Sequence, residues 1–367
     1  MNERERLVAV LEGGTPDRTP WYGDLSWWHA AHCGAGDPPD EYARGDRGYL
    51  KMHADAGVGI YLYAPMLWTQ AYDASVTETV TVAGTATIST LSTPVGRARS
   101  VTAGLPGSAT SAIVEHYVKG PDDLHVMQYA WTHRTVAPNY AAFRSCDDLW
   151  GDQGMACALA PIATTALQTL MTRWAGVETT VRLWADARED LERTIGVVQE
   201  ADDAVFDLIC AGPGRCVAFP ENLSGEVTGR RLLRDYAMPY WRRRIGQLRA
   251  AGKRVGIHND GTLRGSLPLL IEAGFDFVEA ATPAPVGDMT PAEIRHMTEG
   301  RITVWGCLPG ALFSPTTPEG VFISFVEEVL STFRGNARFV LGVADQVPPD
   351  ASFDRIALVR RILDRVG

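Results

Sequence analysis

Five short apolar runs in the C-terminal half of this chain each lead into a side chain that ionises or ligates metal. No other feature limits the fold so tightly. The runs are Cys216-Val217-Ala218-Phe219, Arg254-Val255-Gly256-Ile257, Phe275-Asp276-Phe277-Val278, Ile302-Thr303-Val304-Trp305 and Phe339-Val340-Leu341-Gly342. Their starts lie 21 to 38 residues apart, and each gap suits a crossover helix. Arg231–Ala251 and Pro318–Phe333 carry the apolar stripe of such helices, and Glu293–Glu299 suits a shorter one. Repeated strand–helix units imply an α/β fold with a parallel sheet and right-handed crossovers. At 367 residues the chain is long enough for a closed (β/α)8 barrel of the TIM type, which runs to about 250 residues or more as one unit. The expectation is one such barrel over residues 1–367.

After the first run come Glu221-Asn222, after the second His258-Asn259-Asp260-Gly261, after the third Glu279, after the fourth Cys307 and after the fifth Asp345. In a parallel barrel all these strand ends share the face where barrel enzymes place their chemistry. Each residue also has a structural alternative. Glu221 or Asn222 could cap a helix. His258 could be a hydrogen-bonded core residue, Asp260 part of an Asp-Gly turn, and Asp345 the head of an Asx-turn. Glu279 suits either the substrate pocket or an ion pair with an arginine, and Cys307 suits core packing better than ligation. Taken together, Glu221, His258, Asp260 and Asp345 are a catalytic set that could hold one Zn2+. They offer nitrogen and oxygen donors without thiolate. A metal so held polarises a substrate oxygen as a Lewis acid.

The N-terminal part reads differently. Residues 3–12 suit a helix ended by Gly13-Gly14, 24–46 a long loop with one turn of helix, and 57–64 a buried strand. Thr77–Val82 and Thr85–Thr90 alternate about Ala83-Gly84 and predict an antiparallel hairpin. A further strand is expected at 112–118, which makes 75–118 a β-rich elaboration of the barrel rather than a domain. Six of the ten tryptophans lie in the first 150 residues. Trp27 and Trp28, with Trp68, suggest a pocket wall or lid for a flat apolar ligand; the alternative is a satellite apolar cluster under a long loop. His29, His32 and Cys33 look like a metal cluster only superficially.

Composition excludes several function classes. Thirty-four basic against 44 acidic residues give a charge of −10 and pI ≈ 5.3. Sequence-independent nucleic-acid binding and attachment to anionic membranes both need the opposite sign. No stretch reaches about 18 consecutive apolar residues, and the N-terminus does not read as a signal peptide. Six cysteines without a C-x-x-C pair read as free thiols in a reducing compartment. A cytoplasmic protein is expected.

Several motifs in order resemble the uroporphyrinogen decarboxylase superfamily over nearly the whole chain. They are Arg4-Glu5-Arg6-Leu7 through Pro16-Asp17-Arg18-Thr19-Pro20, Thr93-Pro94-Val95-Gly96, Val114–Lys119 and Pro121-Asp122-Asp123-Leu124. Glu221-Asn222-Leu223-Ser224, Gly256–Gly261 and Gly342–Pro349 complete the series. The resemblance implies a (β/α)8 barrel with one of two chemistries: cofactor-free decarboxylation of uroporphyrinogen, or methyl transfer with corrinoid proteins, often with zinc. The decarboxylases carry a second arginine in the segment that here reads Arg18-Thr19-Pro20-Trp21-Tyr22-Gly23-Asp24-Leu25-Ser26-Trp27-Trp28. Tryptophans stand in its place, which argues against a tetrapyrrole with eight carboxylates. Thiol-methylating members have a His-x-Cys pair and a later Cys as zinc ligands. Here His258 matches the histidine, whereas Asp260 and Asp345 stand at the cysteine positions.

The resemblance therefore implies a corrinoid-dependent methyltransferase that demethylates a small methoxylated or methylated substrate and passes the methyl group to a corrinoid protein. It also implies a homodimer. The alternative is a cofactor-free or metal-dependent decarboxylase or lyase acting on a small carboxylic acid, with His258 as acid or base. A non-enzymatic corrinoid carrier fits less well, because no Asp-x-His-x-x-Gly motif is present.

Overall fold

A computed structural model describes residues 1–36, 40–60, 64–105 and 110–366. One sheet holds eight strands: β1 (Trp21–Asp24), β2 (Gly59–Ile60), β3 (Ala158–Leu159), β4 (Cys216–Phe219), β5 (Arg254–His258), β6 (Phe277–Ala281), β7 (Thr303–Pro309) and β8 (Phe339–Gln346). Their spatial order is β2-β1-β8-β7-β6-β5-β4-β3, and every neighbouring pair is parallel. A parallel bridge between Ile60 and Gly154 brings the β2 edge to the chain just ahead of β3. The curled sheet is compatible with a TIM-type barrel.

Crossover helices fill the gaps between the C-terminal strands. Met238–Ala250 joins β4 to β5, Leu267–Ala273 joins β5 to β6, Pro291–Thr298 joins β6 to β7 and Glu319–Thr332 joins β7 to β8. Strand side chains alternate between two apolar clusters, as the period of two requires. Cys216, Ala218, Phe277, Trp305 and Val340 pack on the inner side with Leu7, Val10 and Leu11 of the first helix, Glu3–Leu11. Val217, Phe219, Val255, Ile257 and Val278 face the helices. Gly256 is required on the inner side: a Cβ there would stand 1.9 Å from the Phe277 ring.

Two N-terminal readings need correction. The stretch 24–46, expected as a loop, contains the helix Ser26–Ala35 and the start of another, Gly45–Ala56. Each ends on a glycine in the left-handed region, Gly36 and Gly57. The Gly, His and Pro content of this stretch hides the helical period, and burial of Trp28 holds the first helix down. The strand expected at 57–64 is only Gly59–Ile60; positions 61–63 lie outside the described residues.

Between β2 and β3 the chain builds two further sheets. Thr77–Ala83, Ala86–Thr93, Gly96–Gly104 and Ser111–Glu115 form an antiparallel meander in chain order. It shares an apolar cluster with the helices Pro121–Thr132, Gly176–Asp186 and Arg188–Ala201. Trp68–Tyr72 pairs antiparallel with Arg134–Pro138, a non-local pairing that local sequence pattern does not reveal.

Candidate active site

His258 is the last residue of β5, and its cross-strand partner on β6 is Glu279. Counting by two from Gly256 and Phe277 puts both side chains on the inner side of the sheet. The Nδ1–H of His258 donates to Glu279 Oε2 at 2.6 Å. That contact leaves Nε2 toward the strand ends, 3.8 Å from Asp260 Oδ2 and 4.0 Å from Asp345 Oδ1. One ligand atom from each of His258, Asp260 and Asp345 lies within 4.8 Å of the other two. Side-chain exposure rises outward, from 6% at His258 through 33% at Asp260 to 55% at Asp345.

The backbone at this face is strained. Among the described residues five non-glycines adopt positive φ: Ala163, Asn222, Ala280, Cys307 and Asp345. All five lie within four residues of the C-terminal end of a sheet strand. Such conformations are costly and cluster at functional sites. The pairing of β6 with β7 also slips between Val278 and Ala281, beside Glu279. Irregularities of this kind re-aim side chains next to active sites.

Electrostatics follow from burial opposed by charge. Burial alone would push the His258 imidazole down; the carboxylates of Glu279 and Asp260 outweigh it and hold the ring well above its usual range. Burial pushes Asp260 up, but its bond to His258 wins and leaves it below the ordinary aspartate value. For Asp345, partial desolvation at the mouth of the site and the neighbouring carboxylates together outweigh His258, and its carboxyl is pushed up to about 6. Asp24, at the end of β1, adds further negative charge near Asp345. It is buried, and accepts from Ser26 N at 2.8 Å and Gln346 Nε2 at 2.9 Å. Sequence reasoning missed Asp24, although Trp21-Tyr22-Gly23-Asp24 is itself an apolar run ending in a carboxylate.

A divalent metal fits this set. Three carboxylates, those of Glu279, Asp260 and Asp345, surround one imidazole, so the site carries excess negative charge. Nε2 and two carboxylate oxygens stand at separations close to those of ligands sharing one ion with bonds of about 2.0–2.2 Å. The carboxylate behind Nδ1 is the usual means of fixing a metal-bound histidine's tautomer.

Other expected site residues lie elsewhere. Glu221 does not join the cluster: its carboxylate is fully buried and accepts from Thr165 N at 3.1 Å, Thr165 Oγ1 at 3.2 Å and Trp241 Nε1 at 2.9 Å. Burial pushes it up to about 7 against those three donors. Glu279, expected at the substrate, stands buried behind His258. Trp28 is core, with its Nε1–H donating to Ala351 O at 2.7 Å. Trp27 is half-buried on the same helix, and its Nε1 makes no hydrogen bond. Trp68 is buried at the wall of a separate cavity. Cys307 is buried, which pushes its thiol up. His29 Nε2 and His32 Nε2 sit on the Tyr42 and Pro349 carbonyls, at 2.8 and 2.9 Å. The cavity of about 610 Å³ beside Arg215, Lys253 and Arg254 opens at the opposite, N-terminal end of the strands, away from this chemistry.

The sequence matches no family model. No curated protein matches it either. Among solved structures, a methyltransferase from Methanosarcina mazei superposes with a TM-score of 0.60 at 12% identity, covering 100% of this chain and 99% of that one. At this identity the likeness is one of fold. A protein described as a candidate vitamin-B12 independent methionine synthase from Listeria monocytogenes gives a TM-score of 0.37 at 13% identity over 64% of this chain and 70% of that one, too low to carry weight. Among the described residues no helix is long and apolar enough to cross a membrane.

Proposed function

We propose that this protein is a metal-assisted methyltransferase, akin to the corrinoid-dependent members of the uroporphyrinogen decarboxylase superfamily. It takes a methyl group from a small methoxylated or methylated substrate and passes it to a corrinoid protein. The observation that carries this reading is the convergence of His258 Nε2, Asp260 and Asp345 within 4.8 Å at the strand ends. Its fold likeness to the Methanosarcina methyltransferase supports it. Zn2+ held by His258, Asp260 and Asp345 would supply Lewis acidity toward the atom that loses its methyl group. Glu279 holds the imidazole in one tautomer, with Nε2 presented to the site. Asp345, more than half exposed, keeps the outer side of the site accessible to a large partner.

Metal content of the purified chain, measured by mass spectrometry, is the first test. About one zinc per chain, lost in both His258→Ala and Asp345→Ala, is expected. Methyl transfer from methoxylated compounds to the reconstituted cognate corrinoid protein is the second; no transfer from any of them sinks the reading.

One observation favours a second reading, a cofactor-free lyase acting on a small carboxylic acid. His258, held protonated among carboxylates, and Asp345, at about 6, form an acid and a base 4.0 Å apart. Decarboxylation by the isolated chain with a chelator present would select it.

A further inference from the structure

Cys157 and Cys216 stand on adjacent lines of the sheet, sulfur to sulfur at 3.2 Å. We propose that this pair is a reversible thiol–disulfide site, oxidised by small hydroperoxides that enter from the N-terminal end of the strands. The proposal stands apart from the methyl-transfer reading and survives its failure.

Register brings the two together. Val217 pairs with Ala158 and Ala218 with Leu159, so Cys216 falls opposite Cys157. Both belong to the inner apolar cluster, so both side chains leave the sheet on the same side. Neighbouring strands lie about 4.8 Å apart, inside the span of about 4.4–6.8 Å that a disulfide bridges between Cα atoms. A metal suits the pair less well. Two sulfurs on one tetrahedral zinc, at about 2.3 Å each, stand about 3.8 Å apart. Among the described residues no carboxylate or imidazole completes such a set there.

The surroundings assign the roles. Cys216 forms part of the wall of the cavity of about 610 Å³, with Arg215, Lys253 and Arg254. Lys253 Nζ donates to Gly212 O at 2.9 Å and Gly214 O at 2.8 Å, which holds the ammonium just ahead of β5, beside β4. Burial pushes that ammonium down and a charge on Cys216 opposes the push, so thiolate and ammonium stabilise one another. Cys157 donates its S–H to Cys216. Burial, then Cys216, then the charge of Glu279 push the Cys157 thiol up. Cys216 is therefore the attacking sulfur and Cys157 the resolving one, the arrangement of a redox-sensing pair.

The chemistry balances. The Cys216 thiolate takes one oxygen of the peroxide, the O–O bond breaks, and hydroxide leaves as water. The Cys157 sulfur then displaces the oxygen from the Cys216 sulfenic acid, and its proton leaves in a second water. The peroxide is reduced, and two thiols become one disulfide. Both sulfurs are buried, so bulk excludes a tripeptide disulfide such as oxidised glutathione.

Hydrogen peroxide on the intact chain, quenched with an alkylating reagent and mapped by peptide mass spectrometry, tests the proposal. A Cys157–Cys216 cross-link that dithiothreitol reverses is expected, and oxidised glutathione should give none. Cys157→Ala should stop at a sulfenic acid on Cys216, captured by dimedone, whereas Cys216→Ala should leave Cys157 unlabelled. Lys253→Gln keeps a donor for the two carbonyls but removes the charge, and should slow cross-linking roughly tenfold. The wild-type map needs no variant, so it decides even if one of these misfolds. Both thiols alkylated after peroxide, equal cross-linking by oxidised glutathione, a dimedone label on Cys157 in Cys216→Ala, or full-rate cross-linking in Lys253→Gln overturns the proposal.

Discussion

Glu221 and Glu279 follow apolar strands of one sheet, and both are buried, with exposures of 0% and 1%. Their surroundings are opposite. Glu279 faces the inner side and holds an imidazole. Glu221 follows Pro220 on the side of Phe219, whose ring packs edge-on against Phe206 and Phe275 under the helices. There it ties the chain after β3, through Thr165, to the helix Met238–Ala250, through Trp241. The difference teaches that a strand-end acid becomes part of the site only when its parity points inward. On the other parity the same residue type pins sheet to helix.

The largest expected effect separates the two sides outright. His258→Ala should abolish zinc binding, measured by competition with a chelator. Glu221→Gln should leave zinc affinity unchanged. Equal loss in both variants would break the comparison, because it would place Glu221 in the metal's reach.

Next comes pH. The Glu221 carboxyl moves from an ordinary 4.5 to about 7 in the folded chain. Between those values the native state keeps a proton that the unfolded state has released, so stability is highest below 4.5 and is lost as pH rises toward 7. The loss is roughly 3 kcal/mol. Urea unfolding of the wild type and Glu221→Gln at several pH values reads it as a change in their difference. A difference flat from pH 4.5 to 8 would show that the three donors offset burial completely.

A third effect sharpens the Glu279 side. Glu279→Gln keeps an acceptor for Nδ1–H but removes the charge behind the ring, and outer partners of this kind are worth about 10–100-fold in metal affinity. An unchanged affinity would reduce Glu279 to a packing role.

Parity also decides how much of this was legible in the sequence. The five C-terminal strands stand where apolar runs predicted them, because buried parallel strands are apolar on both faces and need no alternation. That same property hid the side on which Glu221 falls: Cys216-Val217-Ala218-Phe219 is apolar at every position. His258 and Asp260, two residues apart, announced a shared direction. Asp345 was legible as a strand end, but the left-handed φ that brings it beside His258 has no sequence signal in a non-glycine residue. The helix Ser26–Ala35 and the Trp68–Tyr72/Arg134–Pro138 pairing were illegible for different reasons. The first is masked by composition; the second joins residues 62 to 70 positions apart in the chain.

Tryptophans carry the smallest test and extend the comparison from acids to rings. Trp28 and Trp68 are both buried, and sequence grouped them as one aromatic wall. Trp28 packs against the tilted ring of His32, with ring centroids 4.1 Å apart, and donates to Ala351 O, so its face and its edge are both occupied by protein. Trp68 borders the cavity that Tyr117 and Arg173 share. Trp28→Phe should therefore cost about 1 kcal/mol of stability, one buried hydrogen bond, and leave KM for the methyl donor unchanged. Trp68→Phe should change KM for the methyl donor with little change in unfolding. If Trp28→Phe instead raised KM, the helix Ser26–Ala35 would have to move to admit substrate, and the wall would include both rings after all.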